Sequence, residues 1–146
     1  MVTNKNNAMH SNQKWLAFYR RLGYLMYAVA AADGHISAAE ISAVKKEVRE
    51  KWLAVDKSTD EFDGDAAYQI EVVFDYLQEE APDAARAFGL FETFFKENRD
   101  FFDEALKQRI RETADHIAVA FNNSNKAELS ILFRLNKLLQ NSGTDA

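Results

Sequence analysis

The chain has 146 residues, the usual size of one domain with a full hydrophobic core. Its 23 acidic and 18 basic residues give a formal net charge of −5, an acidic balance that argues against a nucleic-acid partner. The absence of cysteine excludes disulfides, thiolate metal sites and thiol redox chemistry.

The composition favours helices throughout. One proline and five glycines leave little to interrupt them, which predicts an all-α fold. Residues 1–13 are polar and lack the apolar stretch of a signal peptide. The longest apolar run, residues 24–32, is far shorter than the roughly 20 residues a spanning helix needs. We therefore expect a cytoplasmic protein.

The first elements form a helix-turn-helix. Residues 1–11 are Asn-rich and aperiodic, typical of a flexible tail. Apolar residues at steps of three and four then predict a first helix: Trp15, Phe18, Leu22, Leu25, Val29 and Ala32. Gly34 fits the position just past this helix, and Ser37 with Glu40 predicts a capping box that opens the second helix. The buried stripe of the second helix is Ile41, Val44, Val48 and Trp52.

Four more helices are predicted beyond a loop at residues 54–64. The third has Ile70, Val73, Phe74 and Leu77 inward and Glu71, Asp75 and Glu79 outward. Pro82 suits the first turn of the fourth, whose stripe is Ala84, Phe88, Phe91 and Phe95. The phenylalanines between residues 88 and 102 are expected in the core. The fifth covers about 100–121, and the sixth opens near Asn125. The prediction is one all-α domain of about six helices over residues 12–141, with a C-terminal tail at 142–146.

The first and last helix pairs resemble each other in sequence. "LMYAVAAADGHISAAEISAV" aligns with "DHIAVAFNNSNKAELSILF" with one residue deleted in the turn. Each copy has an A-V-A run, a polar turn and a cap followed three residues later by glutamate: Ser37 and Glu40, then Asn125 and Glu128. The similarity predicts a pseudo-repeated helix-turn-helix pair.

The stretch "AADGHISAAE" after an apolar helix, with a weaker second copy near the C-terminus, resembles the TerB-like family. These are small helical proteins of bacterial tellurite-resistance and stress gene clusters. The resemblance is specific for residues 22–53 and extends to 110–139. It implies an all-helical fold without known catalysis, and acidic residues that bind metal within a membrane-linked assembly. Asp33 and Glu40 match the first acidic motif and Glu128 matches the glutamate of the second, where Asn122 and Asn123 replace the usual Asp-Gly.

A metal site at the first motif competes with a purely structural turn. In EF-hand numbering Asp33, Gly34 and Glu40 take positions five, six and twelve, but Val29 and Ala31 then fall on positions one and three and cannot ligate. Asp33 and Glu40 supply at most four oxygens, whereas calcium takes about six to eight. Two interpretations stay open: a capped turn built on Gly34 and Ser37, or a divalent cation such as Ca²⁺ held by Asp33, Glu40 and Glu128.

Acidic residues dominate the middle of the chain. Between residues 56 and 83 there is a single base, Lys57, and the acids are Asp56, Asp60, Glu61, Asp63, Asp65, Glu71, Asp75, Glu79, Glu80 and Asp83. Such a band is typical of a solvated face, of a cation collector or of a docking surface for a basic protein. The docking surface is the hypothesis chosen here, with these residues: Asp60, Glu61, Asp63, Asp65, Glu71, Asp75 and Glu79.

No common catalytic motif is present. The chain lacks a phosphate-binding glycine loop, G-x-S-x-G, H-E-x-x-H and any Cys–His pair. The function expected is a non-catalytic TerB-like scaffold in a stress response, with a basic protein partner and a peripheral link to a membrane complex. The alternatives are a calcium or metal sensor, and a hydrolase that uses clustered carboxylates.

Overall fold

The structure, a computed structural model, describes residues 2–33, 36–53, 65–119 and 126–140, and the side chains of 13–33, 36–53, 65–119 and 129–140. Six α-helices lie in this part of the chain, and it contains no strand. They are α1 (Val2–Ala30), α2 (Ala38–Glu47), α3 (Tyr68–Glu80), α4 (Ala84–Glu97), α5 (Glu104–Val119) and α6 (Lys126–Gln140). The all-α prediction is confirmed.

Helix α1 is the centre of the molecule. It contacts each of the other five helices. Every side chain from Leu25 to Ala31 is at most 8% exposed, so this segment is buried on all sides. That explains the long apolar run, because a helix that is apolar all round has neighbours all round. No helix among the described residues combines the length and apolar character needed to cross a membrane.

Residues 2–11 belong to a helix, where the sequence predicts an aperiodic flexible tail over residues 1–11. Helix α1 begins at Val2 and continues into the core without a break. Neither glycine nor proline occurs before Gly23, and adding a residue to an existing helix is far easier than nucleating a new one. The tail predicted at 142–146 and the loop at 54–64 lie outside the described residues.

The phenylalanines of α4 belong to the core, as predicted. Phe88, Phe91 and Phe95 are fully buried and Phe94 is 8% exposed. Rings from three segments meet around Phe102, whose centroid lies 4.7 Å from that of Phe95 and 5.6 Å from that of Phe18. Helix α5 begins at Glu104, later than predicted, because residues 99–101 form a 3₁₀ turn. Asp103 accepts a 2.8 Å hydrogen bond from the Leu106 amide at that start.

The corner between α3 and α4 is fixed to α1. Helix α3 ends at Glu80, and its C-cap residue Ala81 has a left-handed φ of 49° and donates its amide to the Leu77 carbonyl. Pro82 therefore lies in the corner and not in the first turn of α4, which corrects the prediction. Proline has no backbone N–H, so Pro82 cannot donate the hydrogen bond that would continue α3. The buried Tyr27 hydroxyl donates a 2.8 Å hydrogen bond to the Pro82 carbonyl.

α1 and α3 approach each other closely at Gly23, and this approach gives a first prediction. A Cβ at this position would lie 2.9 Å from the Ile70 carbonyl oxygen and 3.0 Å from Val73 Cβ, whereas a Cβ at Gly89 in α4 would meet nothing within 4 Å. We expect Gly23→Ala to lower the free energy of unfolding by about 1–3 kcal/mol. Gly89→Ala should raise it by about 0.5–1 kcal/mol through helix propensity. Urea unfolding measures both, and equal stability of the two variants would contradict the close approach.

Tyr27 gives a prediction on pH. Burial first, and the charge of Asp83 second, raise the pKa of the Tyr27 phenol above 10.0. The unfolded chain therefore releases this proton at lower pH than the folded chain does, so stability present below pH 10 is lost as the pH rises further. Tyr27→Phe should cost about 1 kcal/mol at neutral pH through the lost hydrogen bond. The difference in unfolding free energy between the parent chain and Tyr27→Phe should shrink when urea unfolding is repeated at about pH 10.5. A difference that stays constant with pH would argue against a raised pKa of Tyr27.

Candidate interaction surface

Helix α3 has an apolar face on each side. The inner face, Ile70, Phe74 and Leu77, is at most 3% exposed and packs against α1. The outer face carries Tyr68, Val72 and Tyr76, which are 50%, 56% and 56% exposed. These three residues follow one another at steps of four, so they form a single row along the helix. We call them the α3 row.

Acidic side chains border the α3 row. Asp65, Asp75, Glu79 and Glu80 are exposed and Glu71 is partly buried. From residue 65 to residue 83 the sequence contains no basic residue. The outer face of α3 therefore combines half-exposed aromatic rings with side-chain charge of one sign.

Two neighbouring helices contact the edges of this face. Lys45 of α2 lies 3.4 Å from Asp75, an exposed ion pair that contributes about 0–1 kcal/mol. Gln78 also donates to Asp75, at 3.2 Å. On the other helix, Arg20 of α1 donates a 3.3 Å hydrogen bond to Gln69. These contacts hold Asp75 and Gln69 in place, while the α3 row stays open.

The structure describes only part of the predicted partner surface. Asp60, Glu61 and Asp63 lie outside the described residues. Asp65, Asp75 and Glu79 are exposed, whereas Glu71 is partly buried. The sequence analysis did not identify the α3 row. The available signal was a second apolar series at steps of four, displaced by two residues from the inward pair Ile70 and Phe74.

The capping box at the start of α2 is built as predicted. Ser37 is the N-cap, its hydroxyl accepts a 3.2 Å hydrogen bond from the Glu40 amide, and the Glu40 carboxylate accepts a hydrogen bond from the Ser37 amide. Glu40 is 5% exposed. Its carboxylate thus has a structural task that accounts for its burial.

The predicted cation site is only partly described. Asp33 is exposed in the turn after α1, while Gly34 and the side chain of Glu128 lie outside the described residues. Among the side chains that are described, no group of three or more His, Cys, Asp or Glu residues could hold a metal ion. Cation binding by Asp33, Glu40 and Glu128 stays a prediction.

A second polar cluster lies between α2 and α5. Helix α2 continues into a π-helical segment, Val48–Leu53, whose wider turns are rare and often occur at functional sites. Trp52 in this segment is fully buried and donates a 3.0 Å hydrogen bond to Thr113. Arg109 lies over its ring, 4.1 Å from the centroid, and donates to the Lys51 carbonyl.

Glu47 and His116 complete this cluster. His116 Nδ1 lies 2.9 Å from Glu47 Oε1, and the buried Glu47 Oε2 has no hydrogen-bond partner among the described residues. One carboxylate and one imidazole are too few ligands for a structural metal ion. The cluster joins α2 and the segment that follows it to α5, with Glu47 and Trp52 buried and His116 exposed.

Comparisons with protein-family models, with curated proteins and with solved structures give no match.

The capping box gives a prediction that separates a structural role of Glu40 from a ligand role. Ser37→Ala should cost about 1 kcal/mol of stability. Glu40→Gln should lower the stability by only a few tenths of a kcal/mol, because glutamine can also close a capping box. Ser42→Ala, at an exposed position inside α2, is the control and should be neutral or slightly stabilising.

Thermal unfolding of these variants with and without Ca²⁺ completes the test. A cap alone predicts the same midpoint in both conditions for the parent chain and for Glu40→Gln. Stabilisation of the parent by Ca²⁺ that disappears in Glu40→Gln would instead make Glu40 a ligand.

Proposed function

We propose that the chain is a non-catalytic, cytoplasmic helical scaffold of the TerB-like type in a bacterial stress response, and that it binds a basic protein partner through the outer face of α3. The observation that carries the proposal is the α3 row bordered by acids. Exposed aromatic and apolar side chains supply contact area, and the acids supply orientation and selectivity.

The resemblance to the TerB-like family supports the scaffold part of the proposal. It rests on the stretch "AADGHISAAE", on the capping box of Ser37 and Glu40 within it, and on the helices that flank this turn. This resemblance makes binding, and not catalysis, the expected activity. Tellurite resistance and metal binding enter only through this resemblance.

Folding energetics support the docking part. An isolated helix is destabilised by like charges four residues apart by a few tenths of a kcal/mol, as for the pair Asp75 and Glu79. Tyr76 and Val72 gain little from folding while more than half of each side chain is exposed. A basic, partly apolar partner turns both features into binding energy, because it neutralises the acids and covers the row.

The test uses a labelled amphipathic helical peptide made of leucine and lysine, whose binding is followed by fluorescence anisotropy. We expect salt-sensitive binding that Glu79→Lys combined with Glu80→Lys reduces about tenfold or more. The charge-matched control is Glu97→Lys combined with Asp115→Lys, two exposed acids on α4 and α5.

The control variant should bind the peptide almost as the parent does, apart from the shared change in net charge. Circular dichroism should be the same for both variants, since the four substituted residues are exposed. Equal losses in the two variants would show that binding follows net charge and not the α3 face, and the docking proposal would then fail.

A further inference from the structure

Helix α6 also has an exposed apolar row. Leu129 and Phe133 are 52% and 69% exposed, while Ile131, Leu135 and Leu138 on the other side are at most 8% exposed. Lys137 continues the row at the next step of four, and it is exposed. We call Leu129, Phe133 and Lys137 the α6 row.

The charge around the α6 row is basic where it is described. Lys137 lies at its C-terminal end, and Arg134 lies beside Phe133. Arg134 is held from within the chain by a 2.8 Å ion pair with Glu92 and by the Phe88 ring, 4.5 Å away. The remaining positive charge of the row is that of the exposed Lys137.

The two rows are complementary in length, in chemistry and in charge. The first and last residues of each row are eight positions apart, or about 12 Å along the helix. The α3 row is followed by Glu79 and Glu80 at its C-terminal end, and the α6 row ends in Lys137. If the helices run parallel, Leu129 meets Tyr68 and Val72, Phe133 meets Tyr76, and Lys137 reaches the two glutamates.

We propose that the α3 row of one molecule binds the α6 row of a second copy of this chain. The inference rests on the proposed function of the α3 face and names its occupant. Because different surfaces of the two copies meet, the contact is head-to-tail and repeats from molecule to molecule, giving rings or open chains. A scaffold built in this way assembles with rising concentration.

The contact is small, with two or three large side chains on each side, so it belongs to the weak, transient class of interfaces. We expect sedimentation equilibrium to show monomers at low concentration and growing oligomers at high concentration, with less association in high salt. Tyr76→Ser or Phe133→Ser should each weaken association about tenfold. Val119→Ser is the control and should have no effect, since Val119 is 74% exposed and lies outside both rows.

Mixing two blocked variants tests the head-to-tail arrangement. A chain with Val72→Glu and Tyr76→Ser keeps only its α6 row, and a chain with Phe133→Glu keeps only its α3 row. Each should be monomeric alone, and the mixture should form dimers and nothing larger. Association of either blocked variant by itself would show pairing of identical faces and overturn the proposal.

A charge exchange tests the parallel register. Lys137→Glu should weaken association, and so should Glu79→Lys combined with Glu80→Lys. Mixing or combining the two changes should restore it, because the signs are complementary again. No restoration would overturn the register and, with it, the contact as described.

The outcome also separates this inference from the proposed function. A chain that is monomeric at every concentration but still binds the leucine–lysine peptide through α3 refutes self-assembly and upholds a basic partner of another kind. A monomeric chain that binds no peptide refutes both.

Discussion

The burial of α1 on all sides from Leu25 onward is the constraint on which the other helices depend. Between Leu25 and Ala31 no side chain is more than 8% exposed, so neighbours are needed on every side. Each fully buried Leu, Met or Val contributes about 1.5–3 kcal/mol when it leaves water. This gain is available only if all the surrounding helices are in place, which makes α1 the element that turns a set of short helices into one cooperative unit. Gly23 allows α3 to come close enough to take part.

The position of α3 on this centre determines the candidate surface. Ile70, Phe74 and Leu77 are used to bury α1, and the geometry of a helix then turns Tyr68, Val72 and Tyr76 outward. Lys45 approaches from α2 and binds Asp75, so one edge of the face is ordered by a neighbour while the centre remains accessible. The surface is thus a consequence of the core packing and is presented on a rigid element, which favours binding because little further ordering is required.

Much of the fold follows from local signals in the sequence. The capping box of Ser37 and Glu40 and the buried stripe of Val44, Val48 and Trp52 could be predicted, because caps and steps of three or four are local rules. The 3₁₀ turn at residues 99–101 and the role of Pro82 could not, because they depend on the packing of Phe102 and on the bond from Tyr27. The α3 row was missed for a related reason: periodicity shows that a helix has apolar residues on two sides, but only the packed structure shows which side is covered.

The two exposed rows differ from the polar cluster between α2 and α5. In that cluster, Trp52 has Thr113 and Arg109 as partners and Glu47 has His116, so most of its polar atoms are paired at a cost in side-chain freedom. On the surface, Phe133 and Tyr76 remain more than half exposed, so folding stabilises them little. Single exposed apolar residues need no explanation, but two rows at helical spacing, one beside acids and one ending in a lysine, do. Folding alone gives no reason for that pairing of shape and charge. Association of the two faces does, since it covers the apolar rows and compensates Glu79 and Glu80 with Lys137 in a single contact.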